Sequence, residues 1–84
     1  MRYRVLIVPS AEKELNALPL VARQRLRKKI ASLSNEPRPR GTKKLEDEDL
    51  YRVRVGDYRI LHRISDKERL VTILAVGHRR EVYR

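Results

Sequence analysis

The chain contains no cysteine. Disulfide staples and thiolate metal sites are therefore excluded, a composition that suits a reducing, cytoplasmic setting. Histidine is scarce as well: two residues, His62 and His78, are too few for the imidazole sets that usually hold zinc. No metal or cofactor is expected. No apolar run reaches the ~18–20 residues that a membrane span requires. The apolar part of MRYRVLIVPS is too short for a secretory signal and reads better as a strand. No internal repeat and no long linker interrupts the pattern. Acidic charge is in deficit: 11 Asp and Glu stand against 21 Lys and Arg, a net charge of +10. That excess makes a polyanion, either nucleic acid or an acidic protein, the first partner to consider. The plain alternative is a generally basic, soluble surface.

What is present suits one small domain over residues 1–84, with apolar residues at 40% of the chain and in clear periods. Residues 3–8 (YRVLIV) predict a buried strand ended by Pro9. Ser10 is a good helix N-cap, with Glu12 and Glu14 favouring the positive end of the helix that follows. Ala11, Leu15 and Leu18 share one helical face. Pro19 breaks that helix or starts the next. Ala22, Leu26, Ile30 and Leu33 line the stripe of a second helix, with Arg23, Arg25, Arg27 and Lys28 mostly off it, in solvent. The two helices should form an antiparallel hairpin. SNEPRPRGTKK (34–44) reads as a loop, and the rest as strand: 50–55, 58–64 and 69–76. The expected fold is α+β, in the order β-α-α-β-β-β. An antiparallel-rich sheet carries the helical hairpin on one face.

The stretch YRVRVGDYRILHR (51–63) holds four arginines in thirteen positions. Gly56-Asp57 suits a two-residue type II′ turn, which fixes the register of the hairpin. Val55 then lies opposite Tyr58, Arg54 opposite Arg59, Val53 opposite Ile60, Arg52 opposite Leu61 and Tyr51 opposite His62. Alternation puts Tyr51, Val53, Val55, Tyr58, Ile60, His62 and Ile64 on a face that packs on the helices. His62 is thus a core or core-edge histidine. Arg52, Arg54, Arg59, Leu61 and Arg63 take the other face. Two arginines directly across a strand pair repel by up to ~1 kcal/mol, and such a pair persists more readily with an anion between. Guanidinium forks match phosphate oxygens. The plain alternative is a solvated face with the charges splayed apart. If 69–76 pairs antiparallel with 58–64, the tail (His78, Arg79, Arg80, Tyr83) returns beside Arg59. Lys43 and Lys44 add cations just before the hairpin.

YRVRVGDYRILHRI followed by VTILAVGHRREVY resembles the RelE/ParE toxin superfamily of toxin–antitoxin modules, most of all its RelE branch. The resemblance covers essentially the whole chain and implies a small basic toxin made beside a RelB-like antitoxin. RelE-type members enter the ribosomal A site and cut mRNA there without metal. The message's 2′-OH attacks the adjacent phosphate to leave a 2′,3′-cyclic phosphate and a 5′-OH. Carried onto this sequence, Arg59 and Arg79 hold the phosphate as it gains charge. Tyr83 stacks on or orients the target nucleotide. Arg52, Arg54, Arg63, Arg80, Lys43 and Lys44 bind the message.

Arg52 and Arg54 stand where the best-known relatives carry lysine. Arginine stabilises charge but is a poor proton shuttle, so the general acid and base stay open. His78 is the best titratable candidate near neutral pH. Some relatives pair a carboxylate with a histidine, but Glu46, Asp47, Glu48 and Asp49 read better as a solvated loop. The chain stops one residue after Tyr83, so inhibition by displacing a further C-terminal helix is not expected. An antitoxin segment covering the basic face remains open. Two other functions stay open: a ParE-type poison of DNA gyrase, and a basic RNA-binding module without chemistry.

Overall fold

The computed structural model describes residues 2–46 and 49–78. Along the chain run β1 (Arg4–Ile7), α1 (Pro9–Asn16), α2 (Leu20–Ser32), β2 (Thr42–Lys44), β3 (Leu50–Val55), β4 (Tyr58–Ser65) and β5 (Leu70–His78). The strands make one sheet in the order β1-β5-β4-β3-β2. β1 is parallel to β5, and every other pair is antiparallel. The core sits between one sheet face and the helices. Ala11 and Leu15 of α1, then Leu26 and Ile30 of α2, meet Val53, Ile60, Ile64, Val71, Ile73 and Val76 there. The expected α+β architecture holds, with one strand more than expected.

That strand is β2. Residues 34–44 read as loop throughout, but Thr42–Lys44 pair with β3 as a short edge. Three residues rich in cation carry no apolar alternation to announce a strand. Their backbone is ordered by the ladder to β3, and their lysines suit an edge that must not recruit another chain. The first helix also starts earlier than its sequence suggests. Val8 is the N-cap without a side-chain bond, and Pro9 stands in the first turn, where its fixed φ and missing N–H cost nothing. Ser10 is therefore already inside the helix rather than capping it.

The β3–β4 hairpin has the expected register at every pair from Tyr51–His62 to Val55–Tyr58. Gly56 has φ +61, and Asp57 does not share the positive φ, as a type II′ turn requires. β5 departs from strict alternation. Leu61 pairs with Ala75 but His62 pairs with Ile73, leaving Leu74 as a bulged extra residue. The bulge resets the phase, so Val71, Ile73 and Val76 all reach the core. The strand then runs past Gly77 to His78.

The long connection between α2 and β2 is strapped to the sheet. Pro37 O lies 3.1 Å from His62 Nε2, so that nitrogen carries the proton and donates. Arg38 donates twice to the Asp66 carboxylate, at 3.1 and 2.9 Å, and its guanidinium lies 5.0 Å from the Tyr51 ring centroid. Tyr3 Oη donates to the same carboxylate at 2.5 Å. These donors hold Asp66 below the usual carboxylate range, Arg38 foremost, and the Asp66 bond pushes the Tyr3 phenol up.

Candidate nucleic-acid interface

The sheet face turned away from the helices carries the basic residues. Its position follows from the ladder alone: Lys43 of β2 lies beside Arg52 of β3, which lies beside Leu61 of β4. One row on, Arg54 faces Arg59, and Arg59 faces Gly77 of β5. On the far side Arg63 lies between Leu50 and Thr72. Six cations (Arg4, Lys43, Arg52, Arg54, Arg59, Arg63) thus share one face. Among the described strand residues that share it, none is acidic.

The cations are not equivalent. Arg54 and Arg63 are exposed, whereas Arg52 and Arg59 are each 7% exposed. A uniformly solvated charge face is therefore not what the chain builds. Burying a guanidinium costs desolvation that other groups must offset, and neither Arg52 nor Arg59 is free of contacts. Burial and the neighbouring charge of Arg54 hold Arg52 below the usual guanidinium value, though arginine keeps its proton in any accessible pH range. The result is two buried cations flanked by two exposed ones. Such a graded arrangement is suited to an anion, because charges held in place by burial need less reorganisation to meet one.

The expected site residues are only partly gathered here. Arg52, Arg54, Arg59, Arg63 and Lys43 come together. Lys44 pairs with Tyr51 and lines the opposite side with Arg38 and Asp49. His78 pairs with Tyr58, and its ring meets the Tyr58 ring edge-on at 6.0 Å. By alternation it lies off the arginine face, while its neighbour Gly77 lies on it. His62 is fully buried and stacks 6.0 Å from Tyr51, in the core as its alternation required. Burial holds its imidazole below the usual value in spite of the Pro37 bond. Glu46 and Asp49 are exposed. Arg79, Arg80, Tyr83, Asp47 and Glu48 lie outside the described residues.

Arg25 is exposed, as a solvent residue of α2 was expected to be, and its guanidinium also lies 3.5 Å from where a Cβ would stand on Gly56. It reaches the hairpin tip one residue pair beyond Arg54 and Arg59. Its position off the buried stripe was visible in the sequence, but the tertiary approach of α2 to the tip was not.

The comparisons with known proteins bear on the family and the fold. A family model described as the ParE toxin of the type II toxin–antitoxin system, parDE, matches residues 5–83. Toxin RelG of Mycobacterium tuberculosis is 36% identical over 87 residues, covering 100% of this chain and 99% of that protein. The toxin–antitoxin complex RelBE2 of the same organism contains a chain with a TM-score of 0.82 and 33% identity, over 93% of this chain and 99% of that one. The archaeal RelE–RelB complex of Pyrococcus horikoshii gives a TM-score of 0.85 and 35% identity, over 98% of this chain and 100% of that one.

Proposed function

This chain belongs to the RelE/ParE toxin family of type II toxin–antitoxin systems, on its RelE-like side, and from that membership we propose that it is a ribosome-dependent mRNA endonuclease. The observation that carries the reading is the Arg54–Arg59 cross-strand pair, flanked by Arg52 and Lys43 on a face without acids among the described strand residues. Like charges placed across a ladder destabilise the sheet, so a fold that keeps them has a use for them. A phosphodiester entering this face replaces mutual repulsion with paired guanidinium–phosphate bonds.

The reaction is the one that RelE-like membership implies. The 2′-OH of the message attacks its own 3′ phosphorus. The P–O5′ bond breaks, the 2′-oxygen gives up its proton and the departing 5′-oxygen takes one up. The products are a 2′,3′-cyclic phosphate and a 5′-OH. Arg59 and Arg52 stabilise the charge that builds on the phosphoryl oxygens, and Arg54 closes over it from the exposed row. Arg79 joins them, carried over from the family pattern, and Arg63, Arg80 and the lysines hold flanking phosphates. None of the arginines moves a proton, and His78 lies off their face, so that work falls to Tyr83, carried over from the family pattern. The A site of the ribosome supplies the in-line geometry of the message. A RelB-like antitoxin holds the toxin inactive by covering the basic face with an acidic segment. The cytoplasm, where ribosomes translate, is the site of action.

The test is a translation reaction with the protein added and the message mapped by primer extension. Cuts at ribosome-occupied codons are expected. They should vanish without ribosomes and fall by roughly 10²–10³ in rate in Arg59→Ala, the usual loss for one transition-state donor. A folded Arg59→Ala protein that cuts at the wild-type rate would sink the reading. The ParE description of the matching family model favours one alternative, a gyrase poison. Intact messages together with gyrase-dependent double-strand breaks would establish it instead.

A further inference from the structure

The last turn of α1 supplies a contact that neither the basic face nor the core accounts for. Glu14 Oε1 accepts a hydrogen bond from the backbone N–H of Val76, 3.0 Å away and 62 residues distant in sequence. The reason lies in the topology. β1 pairs with β5 only as far as Ile7 and Ile73. After that the chain leaves the sheet, with Val8 N–H donating to Ile73 O, and turns into α1 at Pro9. Beyond Ile73, β5 has lost the neighbour on that side. Val76 is itself buried at 4% exposure, so its N–H needs a partner that the ladder no longer provides. Ala11 and Leu15, both fully buried, anchor α1 against the sheet and so carry Glu14 to the vacated place.

The location gives the bond its consequence. Val76 lies just beyond the bulge at which β5 shifts its register against β4. Past a bulge, pairing on one side only is a weak determinant of phase, and a slip of one residue exchanges the two faces. The residue after Val76 is Gly77, which stands opposite Arg59. We propose that Glu14 is a positioning residue for the arginine face: its carboxylate, bonded to the Val76 amide, locks the phase of β5 after the bulge and thereby sets the wall opposite Arg59. Glu14 is bonded to the strand backbone rather than to a described cation of that face, and on this proposal it acts through the strand. A carboxylate acceptor makes this a charge-assisted bond, and a glutamine keeps the acceptor oxygen without the charge.

The experiment compares wild type, Glu14→Gln and Glu14→Ala by two measurements. The first is residue-resolved amide exchange by NMR, which is independent of any activity. In Glu14→Ala, protection at Val76, Gly77 and His78 should fall at least tenfold while Ile60, Ile64 and Val71 keep theirs; Glu14→Gln should retain most of it. The second is the ribosomal cleavage rate, which rests on the proposed function. Glu14→Ala should lower the rate at saturating protein by up to about 10²-fold, the scale of a small misplacement, with the half-saturating concentration unchanged and the rate largely restored in Glu14→Gln. Unchanged exchange in Glu14→Ala overturns the proposal, as does a uniform loss across all strands, which marks a purely structural role. Equal loss of cleavage in both variants also overturns it. A wild type that cuts no message defeats the nuclease reading alone, and exchange then decides the role of Glu14.

Discussion

Arg54 and Arg59 stand side by side because a two-residue turn leaves the hairpin no other register. Their repulsion is a cost to the folded state that the sheet carries permanently. Arg54 is the exposed member of the pair, so replacing it removes a charge without opening the core. Arg54→Thr places a β-branched residue in the same strand position. It should raise stability by up to ~1 kcal/mol, the cross-strand scale, and at the same time lower the rate of message cleavage. Denaturant titration and primer extension on the same preparation check both directions. A variant that is less stable and equally active would mean that the pair is neither strained nor used. The glycine at position 56 has a similar character: φ +61 is what the turn asks of it, while a Cβ there would make only ordinary contact with the Arg25 guanidinium at 3.5 Å.

Among the elements, the β3–β4 hairpin was legible in the sequence down to individual pairs, because turn chemistry and strict alternation agree there. β2 and the bulge in β5 were not. A three-residue edge has no period to detect, and a bulge is a break in period that only the pairing partner reveals. The burial of Arg52 and Arg59 was equally out of reach, since alternation names a face but not what lies near it. His62 shows the opposite case, where alternation placed an ionisable group in the core and the structure agrees. Its consequence belongs to the strap between α2 and β2, which the ring holds through Pro37 O. The neutral ring satisfies that carbonyl with Nε2–H, while buried Nδ1 has no hydrogen-bond partner among the described residues. Protonation would add a donor there. The folded-state pKa lies below the ordinary value, so as pH falls below about 6.5 the unfolded chain takes up the proton first and stability declines until the folded value is passed. Denaturation midpoints measured from pH 7.5 to 5 should fall with acid in the wild type. In His62→Gln, which keeps a donor and cannot titrate, that share of the slope should disappear. An unchanged slope would place the acid sensitivity elsewhere.

At the scale of the whole molecule, a net charge of +10 favours any polyanion, and the proposed nuclease activity asks which part of that attraction would lead to chemistry. The positive charge is not confined to the open sheet face. Arg25, Lys28 and Lys29 line a second groove with Ser32 and Val55, on the helical side. Both surfaces release counterions when they meet phosphate, so both contribute to a salt dependence of about −0.7 in log K against log salt for each phosphate contacted on a single strand. Neutralising the helical groove with Arg25→Gln and Lys28→Gln should therefore make the slope for free RNA shallower by about 1–1.5 if both residues contact phosphate. The cut sites on translated messages should stay where they were. Arg59→Ala should change the slope by no more than about 0.7 and yet remove the cuts. The contrast separates attraction from placement. On the proposed reading, long-range charge would bring message and toxin together on either surface, whereas the open face alone adds the buried Arg52 and Arg59 beside Arg54. If the helical variant lost cleavage in proportion to its lost affinity and Arg59→Ala did no more than that, the open face would be one basic surface among others.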